Sequence, residues 1–357
     1  MRIEDIDRNL AIESGVSEPD LVWFDVREAP FSLHGVFYDG AQGLYVRMDQ
    51  SVADRVSDGV RWLNRHPSGG RVRFRTDSPY LAIRAEIGDD GPPPAQIPLA
   101  GNSGFDLYLK AGSMDRPHQC YAFTPGGGVS KSFSEGYGAE FESEVEYTIH
   151  FPIGVVVKGL YVGLKKGFSV SEAAPYRGDA PIVYYGSSIT QGHSASLPGQ
   201  TSEAVVATRT GYDFINLGFS GCCKGEDVMA EYVGSLRMHA LIMDYDHNAP
   251  GAEHLLATHE RFFLTVREKQ PDLPVIFMTA PNVTEWYTWQ IPRRDAIKRT
   301  YDNALARGDK NVYFIDGAEL FGEDGDLCTV DMCHPNSLGH YKMARRVEAE
   351  LRRAGIV

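Results

Sequence analysis

The chain is short of cysteine, of long apolar runs and of positive charge, and each shortage closes off a class of protein. Five cysteines in 357 residues, Cys120, Cys222, Cys223, Cys328 and Cys333, are too few and too unevenly spaced for a disulfide framework. Reduced thiols are expected. Cys328, Cys333, His334 and His340 invite a zinc reading, but the spacing C-x4-C-H-x5-H matches none of the usual knuckles, so no metal is expected. No segment reaches the ~18 uninterrupted apolar residues that a membrane span needs. The start of the chain carries Glu4, Asp5, Asp7, Arg8 and Glu13 with no apolar run, which is not the pattern of a signal peptide. A cytoplasmic location is the resulting expectation. With 35 basic against 48 acidic residues the formal charge is −13, which disfavours nucleic acid and anionic membrane as partners.

What remains is ordinary globular composition, with 43% hydrophobic and 23% charged residues, in a chain long enough for two domains. From about residue 20 to 170 the apolar residues alternate or come in short runs. Val72 and Phe74 alternate with Arg71, Arg73 and Arg75, and Leu81, Ile83, Ala85 and Ile87 continue the two-residue period after a turn at Asp77–Pro79. Further strands are expected at Leu21–Val26, Gly43–Met48, Phe105–Lys110, Gln119–Phe123, Tyr147–Phe151 and Val155–Val162. Almost no helical periodicity accompanies them, so residues 1–175 read as an antiparallel β-sandwich of jelly-roll type. Ala173–Pro181 reads as a linker.

Residues 176–357 read as an α/β domain. Strands are expected at Ile182–Tyr185, Asp213–Leu217, Ala240–Met243, Val275–Met278 and Val312–Ile315, alternating with helices at Glu226–Ser235, Ala252–Lys269, Arg293–Arg307 and Leu338 to about Arg353, the last with Ser337 as N-cap. The expected architecture is a three-layer α/β/α domain with a five-stranded parallel sheet, whose ligands lie outside the carboxyl ends of the strands.

The polar candidates fall at those strand ends. Gly186-Ser187-Ser188-Ile189 follows the first strand, Ser220-Gly221 the second, and Asp246-His247-Asn248-Ala249 the third, while Asp331-Met332-Cys333-His334 precedes the last helix. Each alone has a bland reading as a turn or a helix cap. Together they are the groups of serine acyl transfer: a hydroxyl, a base to take its proton, a carboxylate to orient the base, and donors for an oxyanion. The G-x-S-x-G elbow of the common α/β-hydrolases is missing. These four blocks resemble those of the SGNH (GDSL-type) hydrolases, which read roughly G-D-S-[LIV], a terminal glycine, G-x-N-D and D-x-x-H. Ser187 stands for the family's usual Asp, and the third block lacks its Gly and its final Asp.

The resemblance implies Ser188 as nucleophile, His334 as general base and then acid, Asp331 as its orienting partner, and an oxyanion hole from Ser188, Gly221 and Asn248, with no cofactor. Gly104-Phe105-Asp106-Leu107-Tyr108 is similar to the G-x-D-L-Y signature of the β-sandwich module that precedes one branch of these hydrolases. That branch and its neighbours include carbohydrate esterases, which implies a short acyl ester, acetyl before others, on a small molecule or oligosaccharide. Trp286, Tyr287 and Trp289 follow the fourth strand, where they serve either as a sugar platform or as a packed cover; Trp286 and Trp289 are the candidate substrate contacts. The vicinal Cys222-Cys223 reads as close packing. The residues between the blocks, Gln191, Gly192, His193, Ser194, Ala249 and Pro250, are small or polar and suggest a rim without an acyl channel. The alternatives are a lipase, thioesterase or lysophospholipase of the same family, and a carbohydrate-binding protein whose hydrolase domain is idle.

Overall fold

The computed structural model describes residues 16, 18–88, 91, 93–126, 131–139, 143–281 and 288–357. Two antiparallel sheets pack face to face in the first half. One orders its strands Leu21–Asp25, Val157–Lys165, Tyr80–Ile87, Phe133–Gly138; the other orders Val170–Ser171, Arg71–Thr76, Val145–His150, Phe105–Lys110, His118–Phe123, with Ser32–His34 also on Arg71–Thr76. The alternation read in the sequence supplies the core between them: Val72 and Phe74 face Leu81, Ile83 and Ala85 in one apolar cluster.

Two of the intervening arginines are not on a solvent face, whereas Arg75 stays partly exposed in a pair with Glu144. Arg71 and Arg73 are buried, because the second half of the chain covers that side of the sheet. Arg71 pairs with Asp213 and donates to Phe214 O at 2.9 Å, while Arg73 pairs with Glu146 at 2.7 Å and donates to Ala174 O at 2.8 Å. A charged side chain can be buried there only because each guanidinium finds both a carboxylate and a carbonyl.

The second half is a five-stranded parallel sheet ordered Tyr212–Gly218, Arg177–Gly186, Ala240–Asp244, Val275–Met278, Val312–Ile315. Its first strand begins at Arg177, inside the stretch read as a linker. Helices Ser202–Thr210 and Ser337–Arg353 cover one face, and Asp227–Ser235, Ala252–Lys269 and Ile291–Ala306 the other. The chain order of adjacent strands reverses beside Arg177–Gly186, which makes its carboxyl end the topological switch point.

Besides the short Leu99–Ser103, two helices that the sequence hides lie in the first half, Gln50–Val56 and Asp58–Leu63, capped by Asp49 and Ser57. Those two bear on the second half. They belong to the α/β core: Ala53 and Val60, with Met48, pack against Val183, Tyr185 and Leu217. Arg47, just before them, is buried over the Phe219 ring and donates to Gly218 O at 2.6 Å and Leu63 O at 2.8 Å. The first half of the chain thus builds part of the second half's helical layer.

Candidate active site

Ser188 is the first residue of the short helix Ser188–Gln191, which starts directly off the end of the Arg177–Gly186 strand. The turn is fixed from below, since Ser187 N–H donates to Asp244 O at 3.0 Å and Ser187 Oγ accepts from Ile189 N–H at 3.2 Å. Ser187 is therefore the N-cap, the role its predecessor-of-helix position dictates. Ser188 is 6% exposed, so little more than its hydroxyl reaches the surface. Its N–H is the first of a helix, where no intrahelical carbonyl reaches it.

Ser188 Oγ lies 2.9 Å from His334 Nε2, and His334 Nδ1 lies 2.6 Å from Asp331 Oδ2. The other carboxylate oxygen, Oδ1, accepts the N–H groups of His334 at 2.7 Å and Cys333 at 3.1 Å. Met332, between them, takes φ +65, a left-handed conformation that folds the four residues so that carboxylate and imidazole meet. Burial works to raise the Asp331 carboxyl, but these hydrogen bonds outweigh it and hold it below its ordinary range. An ionised Asp331 accepts from Nδ1–H, which leaves Nε2 with a lone pair facing the serine hydroxyl.

Gly221, at φ +70, and Asn248 face each other across the same end of the sheet. Gly221 N–H donates to Asn248 Oδ1 at 3.0 Å, and Asn248 Nδ2 donates to Phe219 O at 3.0 Å. A backbone N–H can only donate and a carbonyl only accept, so the amide orientation is determined by its partners. Of the three expected donors, the Gly221 N–H is spent on Asn248; the Ser188 N–H and the second Nδ2 hydrogen of Asn248 have no partner among the described residues. The loop carrying Asn248 is clamped by Arg293, whose Nη1 donates to Asp246 O at 2.7 Å and Ala249 O at 2.6 Å.

Three histidines surround this line. The His193 ring lies on the His334 ring, centroids 4.0 Å apart at 29°, and burial pushes its pKa down to about 4. His340 accepts from Ser202 N–H at Nδ1, 3.3 Å, and donates from Nε2 to His193 O at 3.1 Å. His247 lies 3.7 Å from the Cys333 thiol, which burial raises to about 11 and so keeps protonated to donate. Trp289 is 50% exposed, with its ring edge toward His247 and the Arg293 guanidinium 4.9 Å from its centroid. Trp286 and Tyr287 lie outside the described residues. None of the five cysteines forms a disulfide, and Cys223 is buried in the core.

The sequence gives His193 no role beyond the rim, His340 none beyond a rejected zinc set and Arg293 none in the site, since none of the three lies in a motif block. The rim differs from the expected one. Gln191, Gly192, Ser194 and Ala249 are buried, while Leu327 at 62%, Met332 at 65% and Val330 stand exposed on the loop that carries Asp331 and His334. The last helix is capped by Asn336, whose Oδ1 accepts from Leu338 and Gly339 N–H at 3.0 and 3.1 Å; Ser337 Oγ donates instead to Gln200 Oε1 at 2.7 Å.

Behind the site Glu203 is buried, its Oε1 accepting from Ser202 Oγ at 3.0 Å. Burial raises its carboxyl from an ordinary 4.5 to about 7. The folded chain therefore keeps a proton that the unfolded chain releases. The stability tied to this group is complete below pH 4.5, is lost as pH rises through about 7, and then levels off. Glu203→Gln should remove roughly 3 kcal/mol of that fall between pH 5 and pH 8, as read by urea unfolding at the two pH values. Equal pH dependence in both proteins would mean that Glu203 is ionised in the fold.

Comparison with known proteins adds the following. Residues 179–352 match the GDSL-like lipase/acylhydrolase family model, and residues 21–170 match the GxDLY model of the N-terminus of SGNH-hydrolase-type esterases. No curated protein matches. A crystal structure described as a GDSL-like lipase from Bacteroides ovatus is 26% identical with TM-score 0.83, over 94% of this chain and 98% of that one. The salicylyl acyltransferase SsfX3 from a tetracycline biosynthetic pathway is 18% identical with TM-score 0.78, over 95% and 99%. The acetyl xylan esterase Est2A from the rumen bacterium Butyrivibrio proteoclasticus is 14% identical with TM-score 0.60, over 94% and 98%.

Proposed function

Because the chain belongs to the SGNH (GDSL-type) hydrolases and carries their GxDLY module, we propose that it is a serine esterase that removes short acyl groups, acetyl first, from a carbohydrate. The observation that carries the reading is the line Ser188 Oγ, His334 Nε2, His334 Nδ1, Asp331 Oδ2, with contacts of 2.9 and 2.6 Å. His334 takes the hydroxyl proton as Ser188 Oγ adds to the acyl carbon, and Asp331 stabilises the imidazolium that forms. The charge on the acyl oxygen falls to the Ser188 N–H and the free hydrogen of Asn248 Nδ2. His334 then gives its proton to the leaving sugar oxygen, and water repeats the sequence on the acyl-enzyme.

Two features support a small acyl group and a sugar. Ser188 is almost wholly buried beside His334, on which His193 stacks, and the half-exposed Trp289 packs near His247 on the loop that carries Asn248. The similar fold of an acetyl xylan esterase agrees with such a substrate.

One observation favours a second reading. Leu327, Val330 and Met332 form an exposed apolar ledge beside Asp331 and His334, a feature suited to the longer acyl chain of a lipase or thioesterase. The two readings separate on kcat/KM across acetyl, butyryl and octanoyl esters of one alcohol. A sugar acetylesterase falls along that series. A gain of roughly 0.8 kcal/mol per methylene would show that the ledge receives the chain, and would replace the acetylesterase reading by the lipase one.

A further inference from the structure

The Asp-Leu-Tyr of the GxDLY signature alternates in a strand, so Leu107 enters the sandwich core while Asp106 and Tyr108 share the opposite face. That face meets the α/β domain at Gly199. Gly199 N–H donates to both Asp106 oxygens, at 3.1 and 3.0 Å, and Tyr108 Oη donates to Gly199 O at 3.0 Å. A Cβ on Gly199 would stand 2.5 Å from the Tyr108 ring, 2.6 Å from His150 Nδ1 and 2.7 Å from Asp106 Oδ2, so only glycine fits this grip. His150 backs it, with its ring edge-on to Tyr108 at 4.8 Å.

Gly199 belongs to a segment that ends on the candidate base. At the near end Ser196 N–H donates to Ser337 Oγ at 3.0 Å, and Ser337 Oγ donates to Gln200 at 2.7 Å. At the far end His193 N–H donates to Ser188 O at 2.9 Å, His193 O accepts from His340, and the ring lies on His334. Asp106 is completely buried, where a carboxyl group is costly unless its oxygens are faced by partners; here they are faced by the Gly199 N–H and by the His150 ring, 3.3 Å from Oδ1. Its contribution is direction.

We propose that Asp106 and Tyr108 are positioning residues, which from the β-sandwich hold Gly199 and with it the segment 193–200, so that His193 stays stacked on His334 and keeps that imidazole aimed at Ser188. The assignment rests on the Ser188–His334 reading above. The stack is faced by Asp331 and Cys333 from its own loop, His247 from the turn after the third parallel strand, and His340 from the last helix. Loss of the latch frees the His334 ring to turn, which lowers the rate of acyl transfer more than substrate binding.

The test uses the full chain with p-nitrophenyl acetate. Asp106→Asn, which keeps the volume, should lower kcat roughly 10–100-fold with KM within about threefold, and Tyr108→Phe, which removes one hydroxyl, should lower it several-fold. His193→Ala should act on kcat in the same way, and Asp106→Asn should add little on top of it, because both act through one contact. Fully multiplicative effects in the double variant, or an unchanged kcat in a folded Tyr108→Phe and Asp106→Asn, would overturn the latch. Labelling of Ser188 by a fluorophosphonate separates the two levels of the reading. A wild-type chain that neither labels nor turns over removes the esterase reading and the latch with it. Wild-type labelling at a rate equal to that of Asp106→Asn removes the latch alone.

Discussion

Replacing Ser188 by alanine should lower kcat for p-nitrophenyl acetate by about a millionfold, and replacing His334 by alanine should do nearly as much, with no further loss when both are changed. The non-additivity follows from the geometry: once Oγ is gone the imidazole 2.9 Å away has no proton to take, and once the imidazole is gone the hydroxyl stays protonated. Asp331→Asn should cost about 10⁴-fold, because an amide facing Nδ1 selects the wrong tautomer. Ser187→Ala is the control. It removes the cap that accepts from Ile189 N–H, at a cost of ~0.5–2 kcal/mol in stability, and leaves the chemistry in place. A Ser187→Ala variant that is dead while Ser188→Ala turns over would shift the nucleophile by one residue.

Asn248→Ala should lower kcat by ~10²–10³ with KM nearly constant, the effect of losing a donor that acts on charge only in the transition state. Alanine also removes the oxygen that accepts Gly221 N–H, so a second substitution is needed to assign the loss. Asn248→Asp keeps an oxygen for Gly221 but supplies no N–H and adds negative charge beside the developing oxyanion. It should be at least as impaired as alanine. A loss below about fivefold in the aspartate variant would make Asn248 a brace for Gly221 and leave stabilisation of the oxyanion to backbone groups.

The parallel strands were legible because residues such as Val275–Met278 and Val312–Ile315 are short, apolar, bounded runs suited to a sheet covered on both faces. The helices Gln50–Val56 and Asp58–Leu63 were not, since neither spans two turns and no apolar period can establish itself in so few residues. The four motif blocks were legible because each sits at a strand end or a helix start, where local pattern and chemistry coincide. His193 and Arg293 act through the fold instead. One stacks on a residue distant in the chain and the other clamps backbone carbonyls, and neither kind of contact leaves a spacing in the sequence. The alternation Asp-Leu-Tyr did carry a signal, two polar residues on one face of a strand, but not what that face would meet.

Asp331 and His334 come from a single turn that closes on itself, with the carboxylate held by the N–H groups of the residues it serves. The contact between acid and base is therefore made within four residues, while the direction of the imidazole toward Ser188 depends on side chains outside them. A single residue inserted between Asp331 and His334 displaces both groups together, a heavier loss than Asp331→Asn, which leaves the base in place.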